Sequence, residues 1–129
     1  MTHSYQLLVL PERYGVVRLD LGTEINTKGG KATELLAVIH TPEETTIVCQ
    51  EHIISPEKEA EKGWKALKVN GTLEFELIGV LASILTPLAA NGISVYTLST
   101  YSTDFILVKE NLLSKAVSVL KKAGFEIIE

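Results

Sequence analysis

Residues 97–108 read TLSTYSTDFILV and place six hydroxyl side chains in the first seven positions, followed by one carboxylate, Asp104. Hydroxyl groups donate and accept hydrogen bonds, and a carboxylate accepts them and attracts a cation. A segment of this composition, directly before an apolar strand, has the groups needed to bind a small polar molecule. Serine, threonine and aspartate are also favoured in hairpin turns for local reasons, so ligand binding and turn formation both stay open.

The residues that most often perform catalysis or bind metals are few. The histidines are His3, His40 and His52, and the one cysteine is Cys49. Cys49 and His52 are three positions apart, and on a strand this spacing points the two side chains to opposite faces. Gly29 and Gly30 lack the flanking residues of a phosphate-binding loop. We therefore expect no catalytic residue, no metal site and no cofactor.

Charge and composition exclude several functional classes. The chain of 129 residues has a formal net charge of −4, and Lys121 and Lys122 form the one adjacent basic pair. A general nucleic-acid binder needs clustered lysine and arginine, so we expect no nucleic-acid partner. The N-terminus lacks the basic and apolar regions of a signal peptide, so we expect a cytoplasmic protein. Residues 77–103 carry no charge, but Pro87 interrupts them, and we expect a buried helix and a strand rather than a membrane span.

The C-terminal half has the clearer pattern of elements. A helix is predicted at residues 77–90, and its apolar stripe is Leu77, Leu81, Ile84 and Leu88. A second helix is predicted at residues 111–123, capped by Asn111, and its inward-facing residues are Leu113, Ala116, Val117 and Leu120. Strands are predicted at residues 64–69, 93–101, 105–109 and 125–128. The order strand, helix, strand, strand, helix, strand predicts a ferredoxin-like βαββαβ unit, an α+β fold with an antiparallel sheet and both helices on one face.

The N-terminal half predicts a degenerate copy of this unit. Strands are predicted at residues 5–10, 14–19, 35–40 and 45–49, with a short helix or loop at residues 23–33. A short charged helix is predicted to begin at Ser55 and Pro56 and to end before Gly63. Residues 41–53 align with residues 100–112 at a constant offset, which favours a duplication. We expect two domains, residues 1–61 and 62–129, that pack against each other.

The start of the first predicted helix also has groups suited to binding. The segment GTLEFELIGVL, residues 71–81, supplies backbone N–H groups at the positive end of a helix dipole, which suits a ligand carboxylate. Glu76 can meet a ligand ammonium group or can simply complement the helix dipole. Gly79 allows close approach either of a ligand or of a neighbouring backbone.

Residues 62–126 resemble an ACT domain, the small-molecule-sensing module of amino-acid metabolism. The resemblance rests on FELIGVL at the helix start, NGIS before the second strand and LSTYSTDFILV at the strand junction. This region is similar to the ACT-like units of small bacterial tandem-ACT proteins and of animal cytosolic arginine sensors. The first half resembles the degenerate N-terminal ACT-like unit of the bacterial proteins. The resemblance implies the ferredoxin-like fold and an amino-acid site at an interface between ACT units.

The same resemblance implies which residues bind the ligand. The ligand carboxylate would meet backbone N–H groups near Ile78 and Gly79 or at the strand junction. The ligand ammonium group, or a basic ligand side chain, would meet Glu76 or Asp104. The residues are Glu76, Leu77, Ile78, Gly79 and Val80 at the helix start, and Ser99, Thr100, Tyr101, Ser102, Thr103 and Asp104 at the junction.

These observations predict a free-standing regulatory protein without catalytic activity, which binds an amino-acid ligand and acts through an unidentified regulated protein. The alternative is a dimerisation or protein-interaction module with a vestigial pocket, and a small enzyme is a third hypothesis. The helix at residues 77–90 has a side of small, uncharged residues, and the sheet leaves edge strands. Both features predict a homodimer.

Overall fold

The computed structural model describes residues 5–20, 35–70 and 79–129 of the chain, and this part forms a mixed α+β structure. The strands are β1 (Gln6–Leu19), β2 (Leu35–His40), β3 (Thr45–Gln50), β4 (Ala60–Val69), β5 (Tyr96–Ser99), β6 (Asp104–Lys109) and β7 (Glu126–Ile128). The helices are α1 (Val80–Ala90) and α2 (Leu113–Lys122), and short 3-10 turns lie at Glu51–Ile53 and Glu110–Leu112. Within these described ranges, neither helix is long and apolar enough to cross a membrane.

Contacts divide the chain into two compact units. The C-terminal unit comprises Met1–Pro11 and Lys65–Glu129, and the N-terminal unit comprises Glu12–Trp64. The long strands β1 and β4 each contribute residues to both units. The predicted domain division between residues 61 and 62 stays a prediction.

The sheet of the C-terminal unit has the strand order β7-β1-β4-β6-β5. Strands β5 and β6 are antiparallel, in a register that places Ser99 opposite Asp104. The sequence predicted four antiparallel strands here, and the structure adds the first residues of β1 as a fifth strand. β1 lies parallel to β7, with Gln6 opposite Glu126, and the backbone N–H of Asn70 donates to the carbonyl of Gln6 at 2.9 Å. Leu7 is fully buried, so the added strand contributes to the apolar core.

Each helix buries one face, which matches the prediction for α2 and, through Ile84 and Leu88, most of the prediction for α1, where Val80 is buried and Leu81 is only partly buried. In α1, Val80, Ile84 and Leu88 recur every four residues and are buried, because this spacing places them on one side of the helix. In α2, the buried residues are Ala116, Val117 and Leu120, as predicted. The predicted cap at Asn111 is wrong, since this residue lies in the 3-10 turn and α2 begins without a side-chain cap. These mostly antiparallel strands with two helices confirm the α+β, ferredoxin-like fold class.

The N-terminal unit has the strand order β2-β3-β1-β4, and β1 and β3 are antiparallel. Its predicted first two strands are one continuous strand, β1. The predicted charged helix after Pro56 is wrong, because a turn leads directly into β4 at Ala60. Strand pairing decides the conformation of this segment, since the backbone N–H of Arg18 in β1 donates to the carbonyl of Glu59 at 3.1 Å. The prediction for residues 23–33 falls outside the described residues.

Candidate functional site

The hydroxyl-rich run forms the loop of the β5–β6 hairpin, and Thr100 organises that loop. Its backbone N–H donates to the carbonyl of Thr103 at 2.8 Å, and its hydroxyl donates to the same carbonyl at 3.2 Å. The hydroxyl also accepts hydrogen bonds from the backbone N–H groups of Ser102 at 3.3 Å and Thr103 at 3.2 Å. This is the turn-forming use of threonine that the sequence left open.

Ser99 and Asp104 face each other across the first pair of residues beyond this loop. The Ser99 hydroxyl donates to Oδ1 of Asp104, which is half-buried, while Ser99 is exposed. A carboxylate accepts several hydrogen bonds over its two oxygens, so the Ser99 contact leaves acceptor capacity on Asp104. Asp104 can therefore accept further hydrogen bonds.

Thr103 and Tyr101 have opposite exposures within the same loop. Thr103 is 8% exposed, and its hydroxyl donates to the carbonyl of Val69, the last residue of β4, at 2.8 Å. Tyr101 is 82% exposed at the tip. Thr103 therefore contacts the sheet, and Tyr101 lies where a ligand or a partner can reach it.

The second predicted segment is described only in part, because Glu76, Leu77 and Ile78 lie outside the described residues. Gly79 is the N-cap of α1 and has a left-handed backbone, with φ of 79°, which favours glycine. Val80 follows as the first helical residue and is buried, so its backbone rather than its side chain is suited to ligand contact. Among the described residues no side chain caps α1, and its first turn contains no acidic residue. The N–H groups of such a turn lack intrahelical acceptors and lie at the positive end of the helix dipole.

The structure thus brings Ser99, Thr100, Thr103 and Asp104 together at the end of β4, and places Gly79 and Val80 where α1 begins. Sequence reasoning missed that Asn70, beside this point, links β4 to β1 and β7. Asn70 Nδ2 donates to Gln6 Oε1 at 2.8 Å, and Gln6 Nε2 donates to Glu126 Oε2 at 3.0 Å. No local pattern of the sequence identifies partners so far away in the chain.

The β2–β3 hairpin of the N-terminal unit repeats the backbone of this loop. The backbone N–H of Thr41 donates to the carbonyl of Glu44 at 2.9 Å, and its hydroxyl accepts from the backbone N–H groups of Glu43 at 3.2 Å and Glu44 at 3.1 Å. Beyond the loop, Nδ1 of His40 and the hydroxyl of the buried Thr45 are hydrogen-bonded at 2.9 Å. A 3-10 turn follows the second strand of each hairpin.

Charges are arranged differently at this second hairpin. Nε of Arg18 lies 3.0 Å from Oε1 of Glu44, and its Nη1 lies 3.6 Å from Oε2 of Glu59. Arg18 is 62% exposed, and exposed ion pairs contribute little to stability. Glu44, one of the two acidic residues of this loop, already has a cationic partner within its own unit.

The other side chains of types that can perform catalysis or bind metals are dispersed over the described residues. Cys49 is buried and forms no disulfide, and Nε2 of His52 and Oε1 of Gln50 are hydrogen-bonded at 2.8 Å. Burial raises the pKa of the Tyr14 hydroxyl, and the charge of Glu12 acts in the same direction. Among residues 5–20, 35–70 and 79–129, no three histidine, cysteine or acidic side chains cluster as they would around a metal ion.

Comparison with known proteins identifies the family of the C-terminal part. Residues 59–122 match the family model of the ACT domain. The human cytosolic arginine sensor for mTORC1, subunit 1, is 37% identical over 60 residues, which is 46% of this chain and 18% of that protein. The chain therefore spans about a fifth of the length of this curated relative.

Solved structures extend the likeness to nearly the whole chain. A crystal structure of a protein from Agrobacterium tumefaciens has a TM-score of 0.88 and 28% identity, covering 98% of this chain and 94% of that one. The regulatory subunit of aspartate kinase from Thermus thermophilus has a TM-score of 0.65 at 8% identity, covering 95% and 99%, and shows likeness of fold alone. With the match to the family model and the ferredoxin-like arrangement of strands and helices, residues 59–122 of this chain are an ACT domain.

Proposed function

We propose that this chain is a regulatory ACT protein that binds an amino acid and has no catalytic activity. The observation that carries the proposal is the β5–β6 loop, where Ser99, Thr100 and Asp104 are held by hydrogen bonds at the end of β4. Membership of the ACT family supports a regulatory role, and the relative named as an arginine sensor supports an amino-acid ligand.

The proposed site uses complementary charges at two places. The α-carboxylate of the ligand binds to backbone N–H groups near Gly79, at the positive end of α1. Its ammonium group, or a basic side chain, binds to Asp104, whose carboxylate keeps acceptor capacity beyond the Ser99 bond. Glu76, Leu77, Ile78 and Val80 complete the helix side of the site. Tyr101 and Ser102 complete the hairpin side.

Regulation without catalysis fits the dispersed polar groups of the described residues. Cys49 is buried, and Nε2 of His52 is hydrogen-bonded to Gln50 rather than to a nucleophile. In this proposal, ligand binding changes how the chain contacts a regulated protein in the cytosol. The name of the arginine-sensor relative supports the cytosolic location.

The proposal includes a duplication of ACT-like units, residues 1–61 and 62–129. Its support is the repetition of the loop bonds of Thr41 by Thr100, 59 positions later, and of the pair His40 and Thr45 by Ser99 and Asp104 at the same spacing. A 3-10 turn also recurs at this spacing, from Glu51–Ile53 to Glu110–Leu112. In the N-terminal unit, Arg18 already pairs with Glu44, the last residue of the loop, so we assign amino-acid binding to the hairpin of the C-terminal unit.

A second candidate function is a dimerisation or interaction module with a vestigial pocket. One observation favours it: Ala82, Thr86, Ala89 and Ala90 of α1 are exposed, small and uncharged. We propose a homodimer that uses this face in either case. Sedimentation equilibrium at micromolar concentration tests it, and a single species near 14.1 kDa would contradict it.

A thermal-shift panel of the twenty L-amino acids at millimolar concentration tests the proposed function. At about 100 times its dissociation constant, a ligand adds about 2.7 kcal/mol to stability. We expect at least one amino acid to raise the unfolding midpoint, and its D-enantiomer, which cannot satisfy the same geometry, is the matched control. No shift across the panel would contradict amino-acid binding and favour the interaction module.

A further inference from the structure

Thr103 is one of two polar residues that the described part of the chain buries, the other being Thr45. Every polar group of Thr103 is engaged. Its hydroxyl donates to the carbonyl of Val69 at 2.8 Å, its N–H donates to the Thr100 hydroxyl at 3.2 Å, and its carbonyl accepts from Thr100 N–H at 2.8 Å. A buried residue with this many bonds holds the loop in one position relative to β4.

The anchor point at Val69 is itself held from the other side. Asn70, the next residue, donates its backbone N–H to the carbonyl of Gln6 at 2.9 Å and its side-chain amide to Gln6 Oε1 at 2.8 Å. The end of β4 is therefore bonded to β1 on one side and to the β5–β6 loop on the other. A loop attached at Val69 is attached to a point that cannot shift freely.

The bond between Thr103 and Val69 bears on ligand binding because of where Thr103 lies in the chain. Asp104 is the next residue, and its carboxylate receives the Ser99 hydroxyl. The α1 start at Gly79 lies ten residues after Val69 in the chain, on the segment that leaves the end of β4. The Thr103 hydroxyl thus adds a side-chain bond, at the loop end, to the backbone pairing between β6, which carries Asp104, and β4, which leads to α1.

We infer that Thr103 is the positioning residue of the amino-acid site, fixing Asp104 and the loop relative to the end of β4 without itself touching the ligand. This inference rests on the proposed function and deepens it. Thr103 was predicted as a ligand-binding residue, and its burial and its bond to Val69 assign it this indirect role instead.

The test compares three variants of the full chain. Thr103→Val keeps the shape of the side chain and removes the hydroxyl, and Thr103→Ser keeps the hydroxyl. The matched control is Thr45→Val, which removes the other buried threonine hydroxyl, from the hairpin of the N-terminal unit. The unaltered chain is first screened with the twenty L-amino acids, and the tightest binder is the probe for calorimetric titration.

We expect Thr103→Val to weaken binding of the probe about five- to tenfold, the size that a single hydrogen bond accounts for. The affinities of Thr103→Ser and Thr45→Val for the probe should stay within about twofold of the affinity of the unaltered chain. Amide exchange gives a second readout without ligand. The N–H groups of Thr100 and Thr103 should exchange faster in Thr103→Val by a larger factor than global stability explains, and not in Thr45→Val.

Each contrary outcome has a distinct meaning. Unchanged binding in Thr103→Val overturns the positioning role and leaves the proposed function intact. Equal weakening in Thr45→Val also overturns it, because the effect would then be general loss of stability. Failure of the unaltered chain to bind any amino acid overturns both proposals. If Thr103→Val does not fold, Thr103→Cys replaces it under the same limits, since a thiol is a weak donor.

Discussion

The loop at residues 41–44 in the N-terminal unit and the loop at residues 100–103 in the C-terminal unit are closed by the same hydrogen bonds. In each, a threonine at the first position bonds through its N–H and its hydroxyl to the end of the loop. The last loop residue differs, because Glu44 points to Arg18 near the surface and Thr103 is buried against Val69. The first cross-strand pair differs too, being His40 and Thr45 in one hairpin and Ser99 and Asp104 in the other. The comparison shows that two groups of residues have different roles. The threonine closes the loop in both hairpins, and the neighbouring side chains determine whether a carboxylate of the hairpin is paired with a cation of its own unit, as Glu44 is with Arg18.

The substitution Asp104→Asn is expected to have the largest effect, a loss of affinity for the ligand. A carboxylate hydrogen-bonded to a cation contributes about 1.5–3 kcal/mol, so the affinity for the amino acid should fall about tenfold or more. Glu44→Gln is the matched control in the other hairpin, and should leave affinity unchanged because Glu44 pairs with Arg18. Calorimetric titration measures both. If Asp104→Asn and Glu76→Gln both bind normally, the site lies elsewhere.

A smaller change, in the free energy of unfolding, shows whether the two loops are equivalent. Thr41→Ala and Thr100→Ala each remove the hydroxyl that organises a loop, and each should lower the free energy of unfolding by about 0.5–1.5 kcal/mol. Urea denaturation of the two variants measures the losses, and the serine variants, which keep the hydroxyl, are controls. Losses that differ by more than about 1 kcal/mol would break the equivalence of the loops.

Arg18→Gln should have a still smaller effect on stability. Its ion pairs with Glu44 and Glu59 are exposed, and such pairs contribute less than about 1 kcal/mol. Salt screens exposed charges, so the difference from the unaltered chain should shrink in about 1 M sodium chloride. Urea denaturation at low and high salt measures this. A loss that does not depend on salt would show that Arg18 acts through packing instead.

The smallest effect concerns pH and the buried Tyr14 of the N-terminal unit. Burial raises its pKa in the folded chain, so the unfolded chain loses the phenolic proton at lower pH. The stabilising contribution is therefore complete below about pH 10 and declines as the pH rises further. Tyr14→Phe should lose less stability than the unaltered chain as the pH rises above about 10. Equal slopes in the two proteins would contradict a buried phenol.

The sequence was most informative where structure depends on near neighbours. The spacing of Val117 and Leu120, and of Ile84 and Leu88, predicted which faces of α1 and α2 are buried, because side chains three or four positions apart share a helix face. The strands of the β2–β3 and β5–β6 hairpins were also predicted, since the partners in each hairpin are adjacent segments of the chain. The constant offset between the halves also identified the two loops that share their hydrogen bonds.

Predictions failed where a distant partner decides the structure. The residues after Pro56 have the composition of a short helix, but a turn and pairing between β4 and β1 occur instead. The contact between Thr103 and Val69 joins residues 34 positions apart, and no local spacing predicts it. The six hydroxyl-bearing residues looked alike in sequence, yet one is buried and another is 82% exposed. Their division into an anchor and a reachable tip became visible only in the folded hairpin.

The parallel pair of β1 and β7 affects how the chain folds as it is synthesised. The Gln6 and Glu126 side chains that bond across this pair are 120 positions apart. At about 5–20 residues per second, β1 leaves the ribosome about 6–24 s before β7. During that interval Leu7, which is fully buried in the finished sheet, has no β7 beside its strand. Closing this pair late brings together the most distant contacts of the C-terminal unit, which places a slow, entropically costly step at the end of its folding.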